Sequence, residues 1–267
     1  GYELVGLAKE RGLNYLFEAS VGGGIPIIRP ITQCLAANKI DEIYGILNGT
    51  TNYILTEMIK NGLSFETALK QAQEKGYAEA NPAADIEGID ACRKICILSD
   101  LAFGHQINPD MVPTQGITDV TGEDVTLADA AGYKIKLLGR AVCDSENKVS
   151  AYVAPHLIPD SNLLSSVEGV MNGIVVRGNA IGDAMFYGAG AGKLPTASAV
   201  VADIIDATKH MHARKYIEWA YDGNTVSADP ALLKSRWYVR VPKEDDIRSL
   251  GNVKVIGEEN GFVGILT

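Results

Sequence analysis

The segment GYAEANPAADIEGIDACRK, residues 76–94, carries the densest set of groups able to do chemistry: Tyr77, Glu79, Asp85, Asp90 and Lys94, on a loop and the helix it enters. Asp90 and Lys94 stand four apart, acid first, so they share one helical face. At a solvated surface such a pair is worth about 0.3–0.5 kcal/mol and has no further role. The rest of the helix is largely apolar, with Ile86, Ile89, Cys92, Ile95 and Cys96 at helical spacing, which predicts burial. A sheltered lysine beside an aspartate is a candidate proton carrier. Spacing alone leaves both readings open.

A second feature is GAGAGKLPT, residues 188–196, set between a strand and a helix. Glycines let a backbone approach a ligand closely, and a helix N-terminus offers free N–H groups and partial positive charge. A tight turn needed only for packing would look the same. The standard phosphate-binding patterns fail: G-x-G-x-x-G from Gly22 meets Ile27, and from Gly188 meets Lys193. A phosphate loop ending at Gly192-Lys193 lacks glycine at Tyr187 and a hydroxyl at Leu194. His105, His156, His210 and His212 are scattered in a way that suits no metal site.

These groups need elements to hold them. The pattern predicts a helix over 1–12, a strand over 15–21 and, from Pro26, a helix to about Asn38 disturbed by Pro30. A strand over 40–47 is followed by a helix capped by Thr50 or Thr51 and ending at Asn61-Gly62. Ser64–Lys75 forms the next helix, antiparallel to the last, and one long helix runs from Asp85 to Gly104. From Lys134 the chain turns to strands: KIKLLGRAVC, VSAYVAPHLI, GIVVRG and DAMFYGAG, the first two joined as a hairpin at Asn147-Lys148. A helix over 195–212, a loop at 222–224, a strand RWYVRVP, a short helix at DDIRSL and a closing β segment complete the chain. The class expected is α+β: a mixed β-sheet with helices packed on one face.

Composition narrows the partners. The chain has 267 residues, 46% apolar and 21% charged, close to the globular average, which excludes disorder and fibre. No apolar run approaches the roughly 18 residues of a membrane span. With 24 basic and 33 acidic residues the formal charge is −9, so nucleic acid is not an expected partner. Cys34, Cys92, Cys96 and Cys143 form no CxxC pair and read as reduced thiols of a cytoplasmic protein.

Four blocks, FEASVGGGIPIIRPI (17–31), GILNGTTNYIL (45–55), GYAEANPAADIEGIDACRKICIL (76–98) and YGAGAGKLPTASAVVADI (187–204), resemble homoserine dehydrogenases in order and spacing. The resemblance covers about residues 14–212 and implies NAD- or NADP-dependent interconversion of L-homoserine and L-aspartate 4-semialdehyde, a step towards threonine, isoleucine and methionine. It implies that Lys94 is the general acid/base with Asp90 beside it. Glu79, Tyr77 and Asp85 would lie at the substrate site, and Gly192, with Gly190 in the same turn, at the cofactor. Glu18, with the carbonyls of Val21, Gly23 and Ile25, would form a site for a monovalent cation such as Na+. The resemblance also implies a homodimer.

On the same reading, residues 1–14 are a remnant of a nucleotide-binding domain and 15–215 the substrate and catalytic domain. Residues 236–267 form a β-rich segment, a degenerate or truncated ACT-like piece. The family's G-x-G-x-x-G unit and second lysine have no counterpart here, so the isolated chain is expected to bind cofactor weakly and to be inactive. The alternative is a non-catalytic amino-acid-binding regulatory module on the same scaffold.

Overall fold

The computed structural model describes residues 1–213, 217, 228–245 and 251–267. Its centre is a five-stranded sheet in the order β3-β2-β1-β4-β5, built from β1 (Ile40–Ile46), β2 (Tyr133–Cys143), β3 (Val149–Pro159), β4 (Met171–Gly178) and β5 (Gly182–Ala189). The α+β class is as expected. The named strands, however, pair antiparallel throughout, where a mixed sheet was anticipated. The reason is the connections: β2–β3 and β4–β5 are hairpins, and β1 enters between them antiparallel to both neighbours. Among the described residues one isolated parallel bridge joins Thr114, outside the strands, to Val153 of β3.

Alternation along the strands sends two sets of side chains to opposite faces. On one face Ile43, Leu137, Ala141, Val153, Ile174 and Val176 merge with the helices into the main core. That face is covered by α2 (Gly49–Asn61), α3 (Phe65–Glu74) and α5 (Ile89–Phe103). The other face holds a smaller cluster around Ile46, Leu138, Leu164 and Val175, then turns polar. There Glu42, buried on β1, accepts from Arg140 Nε at 2.6 Å and from Arg177 Nη1 at 2.5 Å.

Three local expectations are corrected. Residues 15–21 form no strand but a short 3-10 turn, Glu18–Ser20. The backbone N–H of Glu18 donates to Asp203 and its side chain serves the next helix, so no ladder partner is available. The helix expected from Pro26 begins at residue 28 and widens into a π-turn, Pro30–Cys34, closed by Leu35 N–H to Pro30 O at 2.8 Å. Proline's missing N–H removes one α-helical bond at this point. The long helix from Asp85 is two helices, α4 (Ala83–Ile86) and α5, separated at Gly88, whose φ of +83° is left-handed.

The sequence reading passed over α6 (Gly122–Ala130), although Thr121 and Asp124 form its reciprocal capping box. The helix α1 (Tyr2–Glu10) and the helix expected after Pro195, here α7 (Lys193–Lys209), are present. Both leave apolar side chains in solvent: Leu4 and Leu7 on α1, and Leu194, Val201, Ile204 and Ile205 on α7. They are linked through Asn14, whose amide donates to the carbonyls of His210 and Ala213. The tail is a three-stranded antiparallel sheet, β6 (Tyr238–Pro242), β7 (Lys254–Glu259) and β8 (Phe262–Leu266), in the order β6-β8-β7. It packs on α6 through Leu127, and Tyr238 donates to Asp124 at 2.8 Å. The loop expected at 222–224 and residues 246–250 of the DDIRSL helix lie outside the described residues.

Candidate active site

The loop after β1 and the first turns of α4 and α5 meet at one end of the sheet, on its helix-covered face. Asp90 sits in the first turn of α5, where an acidic group complements the helix dipole. Lys94 follows one turn later, and its ammonium donates to Asp90 Oδ2 at 2.7 Å and to the carbonyl of Leu47 at 3.1 Å. The Lys94 side chain is 19% exposed, so this is no freely solvated surface pair. An ammonium has three N–H donors. Two have partners among the described residues, and the third is free to meet a ligand.

Asn48 joins the two acids. Its Nδ2 donates to Asp85 Oδ1 at 2.7 Å and to Asp90 Oδ2 at 2.9 Å, while its Oδ1 accepts from Thr51 N–H and caps α2. It therefore replaces Thr50 or Thr51 as the cap. The signal was present, since an Asn at the end of a strand followed by Gly-Thr-Thr is a good N-cap. What the sequence did not reveal is that its amide also reaches two carboxylates, 37 and 42 residues away.

Tyr77 and Glu79 lie on the loop after α3, held by one bond from α2 and one from α3. Thr50 Oγ1 donates to Tyr77 O at 2.6 Å, and Gln73 Nε2 donates to Glu79 O at 3.1 Å. The Tyr77 ring packs edge-on against Tyr53, with centroids 5.1 Å apart. Tyr77 and Glu79 are exposed, so the structure brings together Lys94, Asp90 and Asp85, with Glu79 at the solvent side of the adjoining loop.

The two glycines singled out in the 188–192 turn differ. Gly190 is buried, and a methyl group there would stand 2.1 Å from the Cγ of Asn172. Gly192, at φ +121°, is exposed, and a methyl group there would meet only Pro195 at 3.4 Å. Close packing thus accounts for Gly190, and Gly192 is the one with room in front of it. Asn172, also missed from sequence, is buried with neither carboxamide atom hydrogen-bonded among the described residues.

The Glu18 carboxylate is buried and accepts from Ile27 N–H at 2.6 Å, Ile28 N–H at 2.8 Å and Arg29 N–H at 2.9 Å. The Arg29 guanidinium also faces this carboxylate, with Nε 3.8 Å from Oε2, so part of its charge is already met within the chain. Among the described residues no group of three or more His, Cys, Asp or Glu could hold a metal ion. A monovalent ion held by one carboxylate and three backbone carbonyls does not require such a group.

The site thus gathers a lysine and two carboxylates, held by the Asn48 amide and Leu47 O, at the end of an antiparallel sheet covered by helices on that face. Comparison with known proteins gives the family. The homoserine dehydrogenase family model matches residues 26–205. The chain is 40% identical over 265 residues to the homoserine dehydrogenase of Bacillus subtilis, covering 98% of this chain and 60% of that protein. The crystal structure of a homoserine dehydrogenase from Thiobacillus denitrificans superposes with a TM-score of 0.89 at 39% identity, over 99% of this chain and 65% of that one. A hyperthermophilic archaeal homoserine dehydrogenase mutant in complex with NADPH superposes with a TM-score of 0.66 at 35% identity, over 78% of this chain and 59% of that one. The chain belongs to the homoserine dehydrogenase family and spans about three fifths of the length of these relatives.

Proposed function

We propose that this chain is the substrate-binding and proton-transfer part of an enzyme that interconverts L-homoserine and L-aspartate 4-semialdehyde with a nicotinamide cofactor. The observation that carries the reading is the Lys94 ammonium, sheltered, anchored on Asp90 and Leu47 O, with one N–H to spare. A nicotinamide cofactor would supply the hydride for reduction in its reduced form and accept it for oxidation in its oxidised form. As the aldehyde carbon is reduced, its oxygen gains alkoxide character, and the Lys94 ammonium stabilises that charge and delivers the proton. Asp90 keeps the ammonium oriented. Asp85 with Asp90 outweighs the single positive charge of Lys94, so the cluster is net negative and attracts the α-ammonium of an amino-acid substrate. Glu79 and Tyr77, at the rim, complete its capture and fix the reacting carbon.

Gly192 and the N–H groups opening α7 fit the approach of a nicotinamide cofactor, since the helix start carries no side-chain cap. Gly190 serves that turn by letting it pack closely on Asn172. The exposed apolar faces of α1 and α7 fit a nucleotide-binding domain seated over them, with residues 1–14 as its last helix and 15–215 as the catalytic portion. We further propose a Na+-type ion held by Glu18 and the carbonyls of Val21, Gly23 and Ile25, and a homodimer formed through the polar sheet face around Glu42. Residues 236–267 are read as an ACT-like segment. Among the described residues no helix is long and apolar enough to cross a membrane.

The test is Lys94→Ala in the polypeptide that joins this chain to a dinucleotide-binding domain. The expected result is a fall in kcat of about 10²–10⁴-fold, the usual contribution of a positioned acid/base, with homoserine still bound. Near-normal turnover by that variant would overturn the reading. The isolated chain is expected to bind L-homoserine in calorimetry but to transfer no hydride.

A further inference from the structure

We infer that Asn48 is a positioning residue that holds the proton-transfer and substrate-binding carboxylates as one unit; the inference rests on the reading of Lys94 and Asp85 given above. The orientation of its amide is forced. Oδ1 faces Thr51 N–H, which can only donate, so Nδ2 must face Asp85 and Asp90. Both N–H groups of that one nitrogen are then spent on acids, one on each.

Two carboxylate oxygens lie within 2.9 Å of one nitrogen, close enough to repel each other strongly if nothing stood between them. A neutral amide with two donors keeps them adjacent without adding charge. Asp90 Oδ2 is shared: it accepts from Asn48 Nδ2 at 2.9 Å and from Lys94 Nζ at 2.7 Å. The preceding residue supplies the other anchor of Lys94, since Leu47 O accepts at 3.1 Å. Residues 47 and 48, at the junction of β1 and α2, thus clamp the ion pair on α5 and set Asp85 on α4 relative to it. The α4–α5 break at Gly88 leaves those two acids on separate helices, and among the described residues Asn48 is the side chain that bonds to both.

The two functions of Asn48 can be separated. Serine also caps a helix start, so Asn48→Ser keeps the acceptor for Thr51 N–H but has a single, shorter donor. A residue that only capped α2 would tolerate this change. A residue that couples the carboxylates would not, and its loss would reach both the step that uses Lys94 and the binding that uses Asp85.

The experiment measures kcat and KM for L-homoserine in the polypeptide that joins this chain to a dinucleotide-binding domain. It compares wild type, Asn48→Ser, Asp90→Asn and the double variant, with thermal melting as the control on folding. For Asn48→Ser the expected result is a melting curve close to wild type, kcat about tenfold lower and KM about tenfold higher, as loss of a charge-assisted hydrogen bond implies. In the double variant the loss in kcat is expected to be several-fold smaller than the product of the single losses, because both act on one oxygen. Unchanged kcat and KM in Asn48→Ser, or losses that simply multiply in the double variant, would overturn the positioning role while leaving Lys94 in place. Absence of homoserine turnover in wild type would instead remove the reading on which it rests.

Discussion

Gly23 and Gly190 touch so closely that a methyl group on Gly23 would stand 2.4 Å from the carbonyl oxygen of Gly190. The adjoining Gly24 N–H donates to Ala189 O at 3.1 Å, so the loop that begins at Glu18 and the turn that opens α7 are locked to one another.

The lock extends to Asn172, and size complementarity tests it. Gly190→Ala should destabilise the chain by about 1–3 kcal/mol, the usual cost of overpacking, because its methyl group would occupy the place of the Asn172 carboxamide. Asn172→Ala in the same chain should recover part of that loss. Urea unfolding of the two single variants and the double variant measures this. Additive losses would show that the two sites do not share the space.

Asp203 ties α7 to the same loop, accepting from Glu18 N–H at 2.8 Å and from Arg29 Nη2 at 2.5 Å. Asp203→Ala leaves both donors without that acceptor and is expected to cost about 1–3 kcal/mol. The larger effect should fall on position, with hydrogen exchange at Ile27, Ile28 and Arg29 rising relative to the core sheet. Protection there equal to wild type would mean that Glu18 alone holds the segment.

Gly88 separates Asp85 from the helix that carries Asp90 and Lys94. Alanine at φ +83° is strained by about 1–3 kcal/mol, and its methyl group would meet Thr114 Cγ2 at 3.1 Å and Val153 Cγ1 at 3.2 Å. Gly88→Ala should lower the melting temperature and raise KM for homoserine more than it lowers kcat, since α4 moves relative to α5. Equal changes in both parameters would argue that the helices shift together.

Lys136 is buried on β2, donating to Val167 O at 2.6 Å and Asn52 Oδ1 at 3.1 Å, and burial presses its ammonium down to about 8 from 10.5. Between those values the unfolded chain binds the extra proton, so the penalty for the buried charge is full below about pH 8 and disappears as pH rises to 10.5. Stability should therefore gain about 3 kcal/mol from this group across that window. In Lys136→Met the rise should vanish, which urea midpoints at pH 7.5 and 10 would register. An identical pH slope in the two proteins would contradict it.

Much of the framework was legible in the chain. The hydrophobic periods and turn residues locate β1, α2, α3, the β2–β3 hairpin, the strands β4 and β5, and α7, because these depend on contacts within a few residues. The pair Asp90 and Lys94 was legible for the same reason, being one helical turn apart. The elements misjudged were those decided from afar. The strand expected at 15–21 is a turn because Asp203, on a helix far along the chain, takes the N–H of Glu18. The helix from Asp85 breaks at Gly88, at φ +83°, where the carbonyl of Ile86 accepts from the distant Ile117 N–H at 2.8 Å.

The residue types, the acid-then-base order on α5 and the glycine-rich turn before α7 are local properties that the amino-acid order determines by itself. Whether the Lys94 ammonium stands in solvent or is sheltered and anchored was decided only when β1 brought Leu47 O and the Asn48 amide onto α5. Those bonds join groups some forty residues apart, and closing such loops depends on the whole sheet and its helices packing together, which no local pattern encodes.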